Sequence, residues 1–199
     1  MACYFAIPLA LVVIFSLACS PTESASIPLI VNTTYGPVSG EAIVLNTNKT
    51  LVRFLGIQFG QVKRFEAPES PTPWKTTRNA TSFGKLCPQQ PNVFVNSTND
   101  TDEQCLTINV YSPRDKAKFI ALLPVMVWIY GGEYVIGGSG VGAYNGGYLA
   151  TEGEVIVVTF NYRVGALGFL STGTKEMPGN FGLLDQVKAL HWVQDNIEK

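Results

Sequence analysis

Basic side chains are absent from the first 48 residues, and the whole chain of 199 residues carries only 14 of them against 15 acidic ones. A formal charge of −1 gives no electrostatic reason to expect a nucleic-acid partner. No apolar run is long enough to cross a bilayer. The longest, Phe5 to Ile14 with an extension to Ala18 broken at Ser16, falls short of the roughly 20 residues a spanning helix needs. Phosphate-loop lysine is missing as well, because Gly138 stands where Gly132 to Ser139 would require it. Histidine occurs once, at His191, and no internal repeat divides the chain. What remains is plentiful apolar surface, 46% of residues, which excludes a disordered chain and provides for one core.

The apolar run at the N-terminus has the length of a signal-peptide core, and small residues at Ala18, Ser20, Ser24 and Ser26 offer cleavage positions. Residues 1–26 are therefore expected to be a leader cleaved between 18 and 26, with residues 27–199 as the mature part. An uncleaved anchor is the alternative, since the usual positive flank is missing. Cleavage beyond Cys19 leaves Cys87 and Cys105, an even pair that favours a disulfide over two free thiols in an oxidising compartment. Five Asn-x-Ser/Thr sequons, at Asn32, Asn48, Asn79, Asn96 and Asn99, fit the same route and cluster before the apolar half of the chain. A secreted glycoprotein is expected.

Residues 28 to 60 read as an antiparallel meander of four short runs: Leu29 to Val31, Tyr35 to Gly40, Ala42 to Leu45 and Leu51 to Phe54. Residues 66 to 104 are rich in Pro, Asn, Thr and Ser and read as loops anchored by Trp74 and Phe83. Leu106 to Tyr111 alternates as a strand with one covered face does. Val125 to Tyr130 and Val155 to Phe160 are near-continuous apolar runs, the pattern of parallel strands buried on both faces. About two dozen residues separate them, enough for the crossover that parallel pairing needs. Gly182 to Ile197 places Leu183, Val187, Leu190, Val193 and Ile197 on one helical stripe, with Lys188, Gln194 and Asp195 on the wet side. Strand, crossover, strand and helix make an α/β pattern with one domain.

Glycine is dense from Gly131 to Gly147. Gly138 to Ala143 matches a dinucleotide-binding pattern, but it begins several residues after the strand ends and no acidic residue closes the next strand at Phe160-Asn161. Paired glycines directly after a buried strand fit an anion-stabilising loop better, because they allow amide hydrogens to point into the space beyond the strand ends. A tight turn with no chemical role is the plain alternative.

Four blocks extend the loop into a family resemblance. They are Phe54-Leu-Gly-Ile57, Glu103-Gln-Cys-Leu-Thr-Ile-Asn-Val-Tyr-Ser-Pro113, Leu123-Pro-Val-Met-Val-Trp-Ile-Tyr-Gly-Gly132, and Val155 to Ile197 with Asn161-Tyr-Arg-Val-Gly-Ala-Leu-Gly-Phe-Leu-Ser171 and Gly179-Asn-Phe-Gly-Leu-Leu-Asp-Gln186. The chain resembles the type-B carboxylesterases, which include cholinesterases, bile-salt-activated lipases and the non-catalytic neuroligins. The resemblance runs from residue 29 to 199. It implies the N-terminal half of an α/β-hydrolase fold, and a full-length protein that hydrolyses carboxylic esters by Ser-His-acid acyl transfer. It also implies that the amides of Gly132 and Glu133 are oxyanion donors, that Cys87 and Cys105 form the family's first disulfide, and that Arg64–Glu103 and Arg163–Asp185 are structural ion pairs. Neither a cofactor nor a metal is expected.

Several residues depart from the family pattern. Glu133 stands where the family has a small residue, and a carboxylate aimed at the oxyanion would repel it. The segment Gly56 to Phe65 is shortened. No tryptophan lies between Cys87 and Cys105, which argues against choline esters, whose quaternary ammonium the cholinesterases hold on an aromatic face. The nucleophile elbow Gly-x-Ser-x-Gly is not found: Gly137-Gly-Ser-Gly-Val141 ends in valine and lies in the crossover. His191, beside Trp192 on the terminal helix, precedes any elbow and reads as structural. The chain as given is therefore expected to be inactive, with a neuroligin-like adhesion or binding protein, and hence a protein partner, as the competing class. Protein made in a eukaryotic secretory pathway is expected to gain gel mobility on treatment with an N-glycan amidase; unchanged mobility would count against the secretory reading.

Overall fold

The computed structural model describes residues 29–93, 100–113 and 122–199. The expected leader and the sequons at Asn96 and Asn99 lie outside the described residues. Three antiparallel strands come first among the described residues: β1 (Leu29–Asn32), β2 (Pro37–Val44) and β3 (Thr50–Gln58). The second and third runs expected from the sequence merge into β2. Gly40 does not break the strand there; a Cβ on it would lie 2.6 Å from the Phe54 ring, so glycine serves close packing in a continuous pleat. A two-residue strand, β4 (Arg78–Asn79), pairs in parallel with β2.

The chain continues through β5 (Thr107–Pro113), β6 (Val125–Trp128), α1 (Gly147–Gly153), β7 (Ile156–Phe160), α2 (Gly165–Phe169) and α3 (Phe181–Asn196). Strand order is β1-β2-β3-β5-β7-β6, with β5 antiparallel to both neighbours and β6 parallel to β7. The crossover between the two parallel strands carries α1, as the spacing of the apolar runs requires. Side-chain alternation on β5 and β7 divides the core. Ile108, Val158 and Phe160 pack with Ala189, Trp192 and Val193 of α3, while Tyr111 and Val157 pack with Ala150 of α1 on the opposite face. Helices on both faces of a mixed sheet make a three-layer α/β architecture.

Three expectations about burial need correction. The strand β5 is buried on both faces, not one, because it runs between β3 and β7 under both helices. Conversely, β6 is an edge strand, and Val125, Met126 and Trp128 are 36–48% exposed, so its apolar run is not covered on two faces among the described residues. Helix α3 is rotated from the expected stripe: Val193 is buried, but Leu183, Val187 and Leu190 are exposed. Its buried face is Phe181, Gly182, Asp185, Ala189, Trp192, Val193 and Asn196. Hydrogen bonds set that rotation. Asp185 is held by Arg163, and Asn196 Oδ1 accepts the Thr34 amide at 2.7 Å while its Nδ2 donates to Thr34 Oγ1 at 3.1 Å. Of the two expected loop anchors, Trp74 donates to the Pro37 carbonyl at 2.9 Å and lies under Arg78, whereas Phe83 is 38% exposed.

Arg163 and Asp185 are both essentially inaccessible to solvent. Arg163 Nε and Nη2 each donate to a different Asp185 oxygen at 2.8 Å, its backbone amide adds a third bond at 3.0 Å, and Nη1 donates to the Glu66 carbonyl at 2.9 Å. Arg64 and Glu103 form a second pair, bidentate but on the surface, in which the guanidinium's hydrogen bonds hold the Glu103 carboxyl below the usual range. Breaking one partner of a buried pair costs about 3–5 kcal/mol, whereas exposed pairs contribute little. Asp185→Asn is therefore expected to lower the unfolding free energy in urea by about 3–5 kcal/mol. Arg64→Ala should leave the midpoint nearly unchanged; equal effects of the two changes would contradict this assignment.

Candidate active site

After β6 the chain is fixed by a reciprocal tyrosine pair. The Tyr130 hydroxyl donates to the Tyr162 carbonyl and the Tyr162 hydroxyl to the Tyr130 carbonyl, both at 2.8 Å, with the rings stacked 4.4 Å apart. Burial pushes the pKa of both phenols up, so they remain neutral donors. This pair ties the chain leaving β6 to the chain leaving β7, and the glycine loop starts from that anchor.

Gly132 has φ of +137°, and a Cβ there would lie 2.1 Å from the Ile136 carbonyl oxygen, so only glycine fits. Glu133 and Tyr134 follow at φ of +57° and +60°, two left-handed residues with side chains in succession. Such residues cost of order 1–3 kcal/mol each and persist only where their surroundings hold them. Here the amides of Val135 and Ile136 both donate to the Gly132 carbonyl, at 2.9 and 3.1 Å, and the Gly165 amide donates to the Tyr134 carbonyl at 2.6 Å. Among the described residues nothing accepts a hydrogen bond from the amides of Gly132 and Glu133. They border an open cleft of about 360 Å³ lined also by Tyr130, Tyr162 and Gln186. Adjacent amides without an acceptor beside a cleft can stabilise an oxyanion or a bound anion. The Glu133 side chain is exposed and, among the described residues, has no cationic partner.

The far limb of the loop is bound to the sheet by a buried polar network. Ser139 donates to Asn161 Oδ1 at 2.9 Å and accepts from Asn109 Nδ2 at 3.1 Å, and Asn109 also reaches Thr159 at 2.9 Å. Asn161 Nδ2 donates to the carbonyls of Lys85 and Cys105 at 2.9 and 3.1 Å. Ser139 is 2% exposed with its hydroxyl engaged both ways, so it is no nucleophile. His191 is exposed on α3. Sequence reading missed Asn109 and Asn161; their signal was an amide inside a largely apolar strand run (Asn109) or directly after one (Asn161), which must find partners when buried. It missed Gln89 also, which has no such signal.

Cys87 and Cys105 are joined in a disulfide that closes the loop carrying Gln89. The sequon residues Asn32, Asn48 and Asn79 are exposed, Asn48 at the tip of the β2–β3 turn. Among the described residues no three His, Cys, Asp or Glu side chains gather as metal ligands would, and no helix is long and apolar enough to cross a membrane.

Residues 28–199 match the family model of the carboxylesterase family. The chain is 41% identical to carboxylesterase 1D of Rattus norvegicus over 94% of its own length and 35% of that protein. It is 48% identical to bile salt-activated lipase of Mus musculus over 72% of its length and 25% of that protein. The solved structure of a thermophylic PNB esterase superposes with a TM-score of 0.74 at 39% identity, covering 86% of this chain and 36% of that one. The chain thus spans between a quarter and about a third of the length of these relatives, and its mixed sheet with flanking helices is a partial α/β-hydrolase fold. With a family model spanning all of the described residues and relatives above 40% identity, the chain belongs to the type-B carboxylesterase family.

Proposed function

We propose that this chain is the N-terminal portion of a secreted carboxylic ester hydrolase, and that it supplies that enzyme's oxyanion hole. The observation that carries the reading is the pair of amides at Gly132 and Glu133, left without acceptors at a cleft by a loop held in left-handed geometry. Each such donor is worth about 2.7–4 kcal/mol to an acyl-transfer transition state. The nucleophile, acid and general base would come from the remaining two-thirds of the protein, with a further donor from the amide after the serine. A strand added beside β6 would cover the exposed Val125, Met126 and Trp128 and deliver the nucleophile next to the loop. On this reading residues 1–199 alone do not turn over esters. Residues 1–26 act as a leader, residues 27–199 form a partial esterase domain, and Asn32, Asn48, Asn79, Asn96 and Asn99 carry glycans.

Glu133 supports a second reading, a non-catalytic neuroligin-like protein that binds a protein partner, because a carboxylate beside the oxyanion site opposes the charge that develops there. The open reading frame decides between them. Extension beyond Lys199 is expected to show Gly-x-Ser-x-Gly within roughly 30 residues, then an acid and a histidine; glycine or alanine in place of that serine would support the binding protein. In the full-length enzyme, Glu133→Gly is expected to raise kcat several-fold on the neutral substrate p-nitrophenyl butyrate. An unchanged kcat would mean that the carboxylate does not act on the oxyanion.

A further inference from the structure

The loop has two limbs, and the amides of Gly132 and Glu133 lie on the first of them. The outgoing limb runs from Tyr130 to Glu133. The returning limb passes back over it at Gly137, where an added Cβ would lie 2.5 Å from the Tyr130 ring and 2.9 Å from the Gly131 carbonyl oxygen. Gly137 also sits at φ of +121°. The position of the donors therefore depends on what presses Gly137 against Tyr130 and Gly131.

One side chain from outside the loop holds Gly137. Gln89 Oε1 accepts the Gly137 amide at 2.8 Å, and Gln89 Nε2 donates to the Gly137 carbonyl at 2.7 Å. The primary amide pairs with both backbone groups of one residue as a neighbouring strand would. Gln89 is itself restrained: Nε2 also donates to the Cys87 carbonyl at 3.1 Å, and Asn92 Nδ2 donates to Oε1 at 3.0 Å. Cys87 is tied to Cys105, whose carbonyl accepts from Asn161 in the network that holds Ser139, two residues beyond Gly137. Gln89 thus closes a ring of contacts running from the disulfide to the loop and back through the sheet.

We infer that Gln89 is a positioning residue for ester hydrolysis, acting through Gly137 to hold the Gly132 and Glu133 amides at the oxyanion. This rests on the esterase reading proposed above. The side chain touches no reacting atom. Only an amide meets the requirement: glutamate lacks the donor for the Gly137 and Cys87 carbonyls, and methionine fills the space with neither donor nor strong acceptor. A loop released at this point would lose transition-state stabilisation more than substrate affinity, because its donors are worth most once charge develops.

The test compares Gln89→Met and Gln89→Glu with wild type in the full-length secreted protein. It reads kcat and KM on p-nitrophenyl butyrate, hydrogen exchange at the amides of residues 131–138, and the thermal midpoint. Misplacement of catalytic donors by a change remote from the chemistry costs up to about 100-fold in rate. Both variants are expected to lose roughly 10- to 100-fold in kcat with KM within about twofold, and to exchange the Gly137 amide faster, at a midpoint near that of wild type. Wild-type kcat in Gln89→Met would overturn the inference by reducing Gln89 to a space-filler, as would unchanged exchange at Gly137 or a kcat loss matched by loss of folded protein. If the wild-type protein hydrolyses no ester, the esterase reading fails and the positioning role falls with it. Exchange at Gly137 would then still tell whether Gln89 holds the loop.

Discussion

The buried pair between Arg163 and Asp185 fixes how three parts of this chain meet. A guanidinium and a carboxylate with 1% and 0% of their side-chain surface exposed could not remain charged there without close mutual hydrogen bonding. Arg163 follows the end of β7, Asp185 lies one turn into α3, and the Glu66 carbonyl belongs to the loop after β3; the pair and its bond to Glu66 join all three. The backbone packs closely around it. Added Cβ atoms on Gly168 and Gly182 would lie 2.3 and 2.4 Å from the Arg163 carbonyl oxygen, so α2 and α3 can approach only through glycine.

From that junction the constraint reaches the site through neighbours in sequence. Tyr162 precedes Arg163 and stacks on Tyr130, Asn161 precedes Tyr162 and holds Ser139, and Gly165 follows to cap the Tyr134 carbonyl. Three of the five residues after β7, Asn161, Tyr162 and Gly165, thus restrain a loop after β6 at its far end, start and middle. These bonds, with those from the Val135 and Ile136 amides to the Gly132 carbonyl, hold two left-handed side-chain residues in place and leave the amides of Gly132 and Glu133 without acceptors among the described residues. Such fixed geometry is useful where developing charge must be met without reorganisation, and an oxyanion of acyl transfer is such a charge.

Much of this was legible in the residues. Apolar runs at Val125 and Val155 with a crossover between them implied a parallel pair. Gly131-Gly132 after the first run implied the loop, because two adjacent glycines at a strand end let the backbone turn where side chains would block it. Family motifs pointed to Arg163 with Asp185 and Cys87 with Cys105 as partners. Burial was less legible. Periodicity assigned Leu183, Val187 and Leu190 to the core, yet the hydrogen bonds that Asp185 accepts and those of Asn196 turn the helix so that these two polar residues face inward together with Phe181, Ala189, Trp192 and Val193. Val125 to Trp128 reads as doubly buried, while among the described residues it is the edge of the sheet and half-exposed, a difference set by strand order and not by local apolarity. Gln89 was invisible because a surface-type residue in a proline-rich loop becomes meaningful only when folding brings it to Gly137.

Whether this loop serves an esterase is decided by covalent labelling of the full-length secreted protein with a fluorophosphonate probe, followed by mapping of the modified peptide. An esterase completed around the loop is expected to carry one adduct, on a serine downstream of Lys199, with none on the buried Ser139. Folded protein without an adduct would make the loop a relic in a binding protein, and an adduct on Ser139 would place the nucleophile where the geometry forbids it; either result contradicts an oxyanion hole at Gly132 and Glu133 that serves a downstream serine.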